Sequence, residues 1–277
     1  MSLEHFGDGI RVFASSPGAS NLSVITSGSS ALLVDAGSLP SAAREFWRQA
    51  TDGANAQLVL THHHADHVFG AAGLADVPVI ASDRAARLLD ERGVHERDRL
   101  IELLPDHRDE LASAAVPVVT QPVDSTTTID VDGRAVRLIP VGHAHTPGDV
   151  VVFDQRTSTV FTGDVVFTNV MPVLRDANTA GWIEALAVLE GLKPERVVPG
   201  HGTAGSAGVL DDMIELLSAL RSIAERHADD DDPTASIAEL PTRFRDLRRM
   251  ERFEGAVSSI VAELRNSPST LSPRRSE

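Results

Sequence analysis

Directly after the apolar run Gln57-Leu58-Val59-Leu60 the chain reads Thr61-His62-His63-His64-Ala65-Asp66-His67. Imidazole and carboxylate are the side chains that hold zinc and similar divalent ions. A buried strand that ends in such a cluster must deliver it at a sheet edge, where a substrate reaches it. His62 and His64 are two apart on extended backbone, so both point to one side. Asp66 and His67 sit where the chain turns into a short helix and can face a second ion.

Composition narrows the chemistry. With 277 residues, 42 % of them hydrophobic, the chain is long enough for one large domain or one domain with an appendage. It has no cysteine, so any ion must be held by nitrogen and oxygen. The formal net charge is −15, a field that repels nucleic acid. Lys193 is the only lysine. Residues 1–8 lack the pattern of a signal peptide, and no later run is long enough to span a membrane. The expectation is a cytoplasmic enzyme with neither nucleic acid nor membrane as partner.

Residues 22–26 and 31–35 form a predicted hairpin. Segment 41–50 reads as a helix with Ser41 as its cap, and 58–60 as a buried strand. Segment 66–73 reads as a short helix, and 77–80 as strand. Residues 82–115 predict two or three helices, broken near Gly93 and Pro105. Segments 127–131 and 134–139 flank the turn Asp132-Gly133, and 150–153 pairs with 159–162. A helix over 179–190 precedes a short strand at 196–198. Two batches of strands, each followed by helices, predict two packed sheets with helices outside. From about residue 206 the pattern turns helical, over 209–227 and 253–264, around the acidic run 229–232. The tail at 267–277 is Pro/Ser-rich and expected to be disordered. The expected division is 1–205 catalytic, 206–266 helical extension and 267–277 tail.

Three later segments repeat the theme of the first. Gly142-His143-Ala144-His145-Thr146-Pro147-Gly148-Asp149, Phe161-Thr162-Gly163-Asp164 and Pro199-Gly200-His201-Gly202 each follow a predicted strand and each offer a ligand-type side chain. As a set, these motifs resemble the metallo-β-lactamase superfamily, whose His-x-His-x-Asp-His signature is matched by His62, His64, Asp66 and His67. The resemblance covers about residues 10–205. It implies an α/β fold, the αββα four-layer sandwich, here with a C-terminal helical extension. Carried over residue by residue, it assigns His62, His64 and His145 to a first metal and Asp66, His67 and His201 to a second, bridged by Asp164. Asp164 points to the glyoxalase II-like and lactonase-like branch, because true β-lactamases generally lack that carboxylate.

The resemblance further implies two zinc ions, with iron or manganese compatible with the same donors. The activity expected is hydrolysis of a thioester, ester or lactone by a hydroxide shared between ions about 3.5–4 Å apart, with Asp66 as the catalytic proton acceptor. Ions and ligands together leave a charge of about +1, suited to a small-molecule acyl substrate. Two alternatives are an iron-dependent redox member of the fold, such as a persulfide dioxygenase, and a β-lactamase. Around the ligand set, Asp35 either orients a ligand histidine or is a plain turn carboxylate, and His63 either supports a ligand from behind or lines the pocket wall. His143 competes with His145 for the metal, with Thr-Pro-Gly favouring His145. Asn169 and Arg175 lie in a loop that can overhang the site. Trp182 reads as packing. The C-terminal helices either cap the pocket or build a homodimer interface, and Phe253 could bring an aromatic ring near the site.

Overall fold

The computed structural model describes residues 2–14, 20–51, 53–228 and 235–266. Both the acidic run at 229–232 and the tail at 267–277 lie outside the described residues. A first sheet of seven strands holds β1 (Ser2–Gly7), β2 (Ile10–Ala14), β3 (Asn21–Ser27), β4 (Ser30–Val34), β5 (Asn55–Val59), β6 (Val79–Ser82) and β7 (Gln121–Val123), in that spatial order. β1 to β4 run as antiparallel hairpins, and β4 to β7 are parallel. The second sheet runs β12-β11-β10-β9-β8, from β8 (Thr127–Asp130), β9 (Ala135–Gly142), β10 (Asp149–Asp154), β11 (Thr159–Phe161) and β12 (Arg196–Val198). β11 and β12 are parallel and the other pairs antiparallel.

Helix α1 (Pro40–Thr51), the four-residue α2 (Ala65–Val68), α3 (Asp83–Leu103) and α4 (Arg108–Ser113) belong to the first half. The second half has α5 (Thr179–Gly191), α6 (Gly208–Arg226) and α7 (Phe253–Asn266). Three apolar clusters show why these stack as four layers. Ile10, Ile25, Leu32 and Val59 meet Leu138, Val150, Val152 and Phe161 between the two sheets. Phe46, Leu89 and Leu100 fasten helices to the outside of the first sheet. Trp182, Leu186, Leu217, Phe253 and Ile260 do so on the second. The extension therefore shares one core with α5 and the second sheet.

The element boundaries depart from expectation in three places. Helix α1 starts at Pro40, whose fixed φ suits the first helical position. Ser41 thus lies inside the first turn, and its N–H is taken by Glu110 Oε1 at 2.6 Å; it is not the cap. α3 runs unbroken through Gly93, because that glycine is a close-approach position. A Cβ there would lie 2.4 Å from Val116 Cγ1, so the residue serves packing and does not end the helix. Strands β1, β2 and β7 add to the expected set; β7 contains Pro122, which an edge strand tolerates because one side of it faces no partner.

Topology gathers the ligand-bearing loops. Since β9 and β11 are each antiparallel to β10, and β12 is parallel to β11, the C-terminal ends of β9, β11 and β12 share one rim. The two sheets touch there, where Val150 N–H donates to Thr61 O at 2.8 Å.

Candidate metal centre

Three strand ends of the second sheet and one of the first converge at this rim. His62, His64, Asp66 and His67 follow β5, His145 follows β9, Asp164 follows β11 and His201 follows β12. Their ligand atoms fall into two groups: His62, His64, His145 and Asp164, and then Asp66, His67 and His201. Asp164 stands between them. Its Oδ1 is 3.1 Å from His67 Nε2 and 3.5 Å from His201 Nε2. Its Oδ2 is 3.4 Å from His145 Nε2 and 3.9 Å from His62 Nε2.

The unused ring nitrogens face inward. His145 Nε2 and His64 Nδ1 are 3.0 Å apart, and His67 Nε2 and His201 Nε2 3.4 Å. Among the described residues, buried His62 Nε2 and Asp164 Oδ1 have no hydrogen-bond partner. Buried polar atoms are rarely left so, and lone pairs converging on one point are what divalent ions answer. The donor set, all imidazole and carboxylate, fits zinc, iron or manganese.

The backs of the His62, His64 and His67 rings are tied down, which fixes which nitrogen faces inward, whereas His145 Nδ1 has no partner among the described residues. Asp35 Oδ2 accepts from His67 Nδ1 at 2.7 Å. The same carboxylate takes Thr61 N–H and Thr61 Oγ1–H, each at 2.8 Å, and Thr61 Oγ1 is 3.0 Å from His62 Nδ1. His64 Nε2 meets Asp176 Oδ2 at 2.9 Å. Phe167 stacks on His201, centroids 5.4 Å apart and planes at 6°. Asn21 Nδ2 donates to Pro199 O and Gly202 O, both at 2.8 Å, pinning the loop that carries His201. Gly200 permits the close approach there: a Cβ would sit 2.0 Å from Asp164 Oδ1.

Charge is sorted across the cluster. Burial pushes His62 and His145 well below the ordinary histidine range, leaving them neutral, the form a metal needs. Burial works against charge on His67 and His201 too, but Asp164 outweighs it, with Asp35 and Asp66 adding to the pull on His67 and Asp66 to that on His201. His67 is raised well above its usual value and His201 to about 9. Asp164 resists its own burial through His201 and His67 and stays well below the carboxylate range. Near Thr146, burial lifts Asp149 to about 7; Thr146 N–H and Oγ1–H donate to it at 2.8 and 2.7 Å.

The remaining expected residues separate clearly. His143 is exposed and bonds Asp176 O at 2.8 Å, outside both ligand groups. His63 is buried against His64, and burial lowers it to about 3. Arg175 lines the cleft, but its guanidinium is clamped on Glu96 at 2.8 and 2.7 Å. Asn169 lines a different groove, beside Met213 and Phe244, so the loop after β11 does not bring it to the cleft. Trp182 packs behind His145 and donates to Val165 O at 2.8 Å. Phe253 is buried in the core, and its neighbour Arg252 faces the cleft instead. Sequence reading missed Asp176, Asn21 and Arg252. Only Asp176 carried a signal, as a carboxylate beside Arg175.

A cleft of about 700 Å³ opens above Asp66, Asp164 and His201. Its apolar wall is Leu39, Leu100, Leu103, Pro172, Val173 and Leu174; α7 contributes Gly255, Ala256 and Ser259, and the turn before it Arg252. The extension thus lines the cleft.

The sequence model of the metallo-beta-lactamase superfamily matches residues 15–201. The chain belongs to the metallo-beta-lactamase superfamily. Among curated relatives of this superfamily member, "Probable metallo-hydrolase YybB" of Bacillus subtilis (strain 168) is 24 % identical over 155 residues, 52 % of this chain and 63 % of that protein. The match thus spans less than two thirds of that relative. Among solved structures, the metallo-beta-lactamase from Pontibacter korlensis superposes with a TM-score of 0.64 at 21 % identity, over 78 % of this chain and 98 % of that one. The metallo-beta-lactamase from Hirschia baltica gives 0.61 at 20 %, over 78 % and 97 %. At such identity these likenesses speak for the fold.

Proposed function

We propose that the protein is a binuclear metal-dependent hydrolase that attacks a carbonyl carbon in a thioester, ester or lactone, of the glyoxalase II-like or lactonase-like kind. The observation that carries this reading is Asp164, whose two oxygens are divided between the two ligand groups. A carboxylate so placed can serve two ions at once. His62, His64 and His145 would hold one ion, and Asp66, His67 and His201 the other. When bound, such a pair supplies a water ionised near neutral pH and an electrophile for a carbonyl oxygen.

The chain's own residues do the rest. Asp35 and Asp176 keep the rings of His67 and His64 in the orientation that frees one nitrogen. Asp66 is the most exposed carboxylate of the set and lines the cleft. Its oxygen orients the attacking water and takes up the proton. The wall from Leu39 to Leu174 excludes water from the far side of the substrate.

The test is to strip the purified protein with chelator, reload it with zinc, iron or manganese, count ions per chain, and assay a panel of thioesters, esters and lactones. About two ions per chain and turnover that returns with metal are expected. A loaded protein inert on the whole panel, or one that consumes oxygen in its iron form, would sink the hydrolase reading.

A further inference from the structure

Arg252 lines the cleft with little of its own chain to answer its charge. It sits in the single turn Met250–Arg252 that leads into α7. Its side chain makes one hydrogen bond, Nη1 to Met171 O at 3.0 Å, and among the described residues it forms no ion pair. Burial and the neighbouring charge of Arg249 weaken its hold on its proton; Asp66, Asp164 and Glu251 oppose this. Arg249 lines the same cleft and pairs with Glu251 at 2.7 Å. Arg99, exposed on α3, is a third arginine on the lining. A fourth, Arg175, is already matched by Glu96 and Asp176.

The acids on the lining are Asp66, Glu96 and Asp164. Glu96 is used by Arg175. Asp66 and Asp164 belong to the candidate metal centre, and ions there would answer their charge. What is left is an excess of cations above the site, in a protein whose net charge is −15. The arginine turn is also held in place. Arg248 N–H donates to Asn169 O at 3.0 Å and Met171 N–H to Arg248 O at 2.8 Å, stitching it to the loop after Asp164. Arg249 adopts a left-handed conformation, φ 64°, uncommon for a residue with a side chain. A half-buried, fixed and unmatched guanidinium is a receptor for a carboxylate or phosphate, the planar anions its fork fits.

We propose that Arg252, with Arg249 near it and Arg99 on the same lining, binds an anionic group of the substrate while the wall of Leu100, Leu103 and Val173 takes its hydrocarbon part. The substrate class is an anionic, amphipathic ester or thioester. This rests on the hydrolase reading for the word substrate, whereas the anion site stands on its own geometry.

The experiment uses the zinc-loaded protein and matched substrates. One pair differs in a terminal carboxylate on the acyl chain against its methyl ester. A second pair differs in a phosphate on the leaving group against a neutral alcohol. The quantity read is the ratio of kcat/KM, anionic over neutral. Wild type is expected to show at least a tenfold ratio for one pair, which identifies the source of the anion. Arg252→Gln should bring it near one, with Arg252→Lys between. Arg99→Gln, an exposed change that leaves the core intact, should lower it less. In parallel, titration calorimetry with glutarate and inorganic phosphate should show weaker binding to Arg252→Gln of unchanged zinc content. Binding that depends on Arg252 without turnover of any ester would sink the hydrolase reading and leave the anion site standing. Equal ratios in wild type and Arg252→Gln, or anion binding indifferent to Arg252, overturns the anion site.

Discussion

Asp164 and Gly200 form a unit, because the carboxylate occupies the space where any other residue at 200 would carry its Cβ. Gly200→Ala should displace Asp164 and lower the number of ions bound per chain, read by metal analysis after dialysis. Retention of two ions would show that the loop yields more easily than the 2.0 Å approach implies. Asp35 acts at one remove. Replacing it with Ala leaves His67 free to rotate, and outer partners of this type are worth about 10–100-fold in metal affinity. Competition with a chromophoric chelator would measure that loss. The seven candidate ligand positions stand out in the sequence because each lies in a short local pattern at a strand end, and the structure brings them together. Asp176 does not, since its partner His64 is 112 residues distant and a carboxylate beside Arg175 does not say which histidine it meets. Arg252 was hidden for the same reason. A helix-start sequence does not say which of two adjacent residues, Arg252 or Phe253, turns outward.

At the scale of elements, Ser82 joins two tasks. It caps α3 by accepting from Ala85 N–H at 3.0 Å, and it donates to Gly148 O at 2.6 Å in the loop beyond His145. Ser82→Ala should cost about 1–2 kcal/mol, seen as a lower urea midpoint with unchanged slope. Gly255 in α7 has open space where a Cβ would go. Gly255→Ala should therefore gain about 0.5 kcal/mol through helix propensity, visible in the same titration; destabilisation would mean the cleft needs that gap. The central strands and most helices could be read from the sequence, because alternation and helical periodicity both survive in buried segments. β7 could not, being three residues long with a proline inside. Nor could the continuity of α3, since a glycine kept for Val116 looks on paper like one that ends a helix.

Across the whole molecule the two sheets are joined at opposite places. Arg134 lies in the turn between β8 and β9 and is fully buried with Asp154, Nη2 to Oδ2 2.6 Å. Its Nη1 also donates to Asp8 O and Thr26 O of the first sheet. Burial opposes charge on Asp154, but Arg134 and Thr157 overcome it and hold the group below its usual range. A depressed carboxylate contributes stability that is complete above its unfolded value, about 3.9. That stability is lost as pH falls through the lower folded value. Denaturant stability should thus drop below about pH 4 and do so less steeply in Asp154→Asn, although that variant starts lower. Removing only Arg134, as Met, should cost about 3–5 kcal/mol by stranding a buried charge. The other junction is the ligand rim itself, four donors supplied by the first sheet and three by the second. Ions held across it would add a further fastening between the two packed sheets, so chelator should lower the melting temperature as well as silence the chemistry. A cell short of metal would then hold a less stable chain, and scarcity of the ion would be felt first as a shortage of the protein.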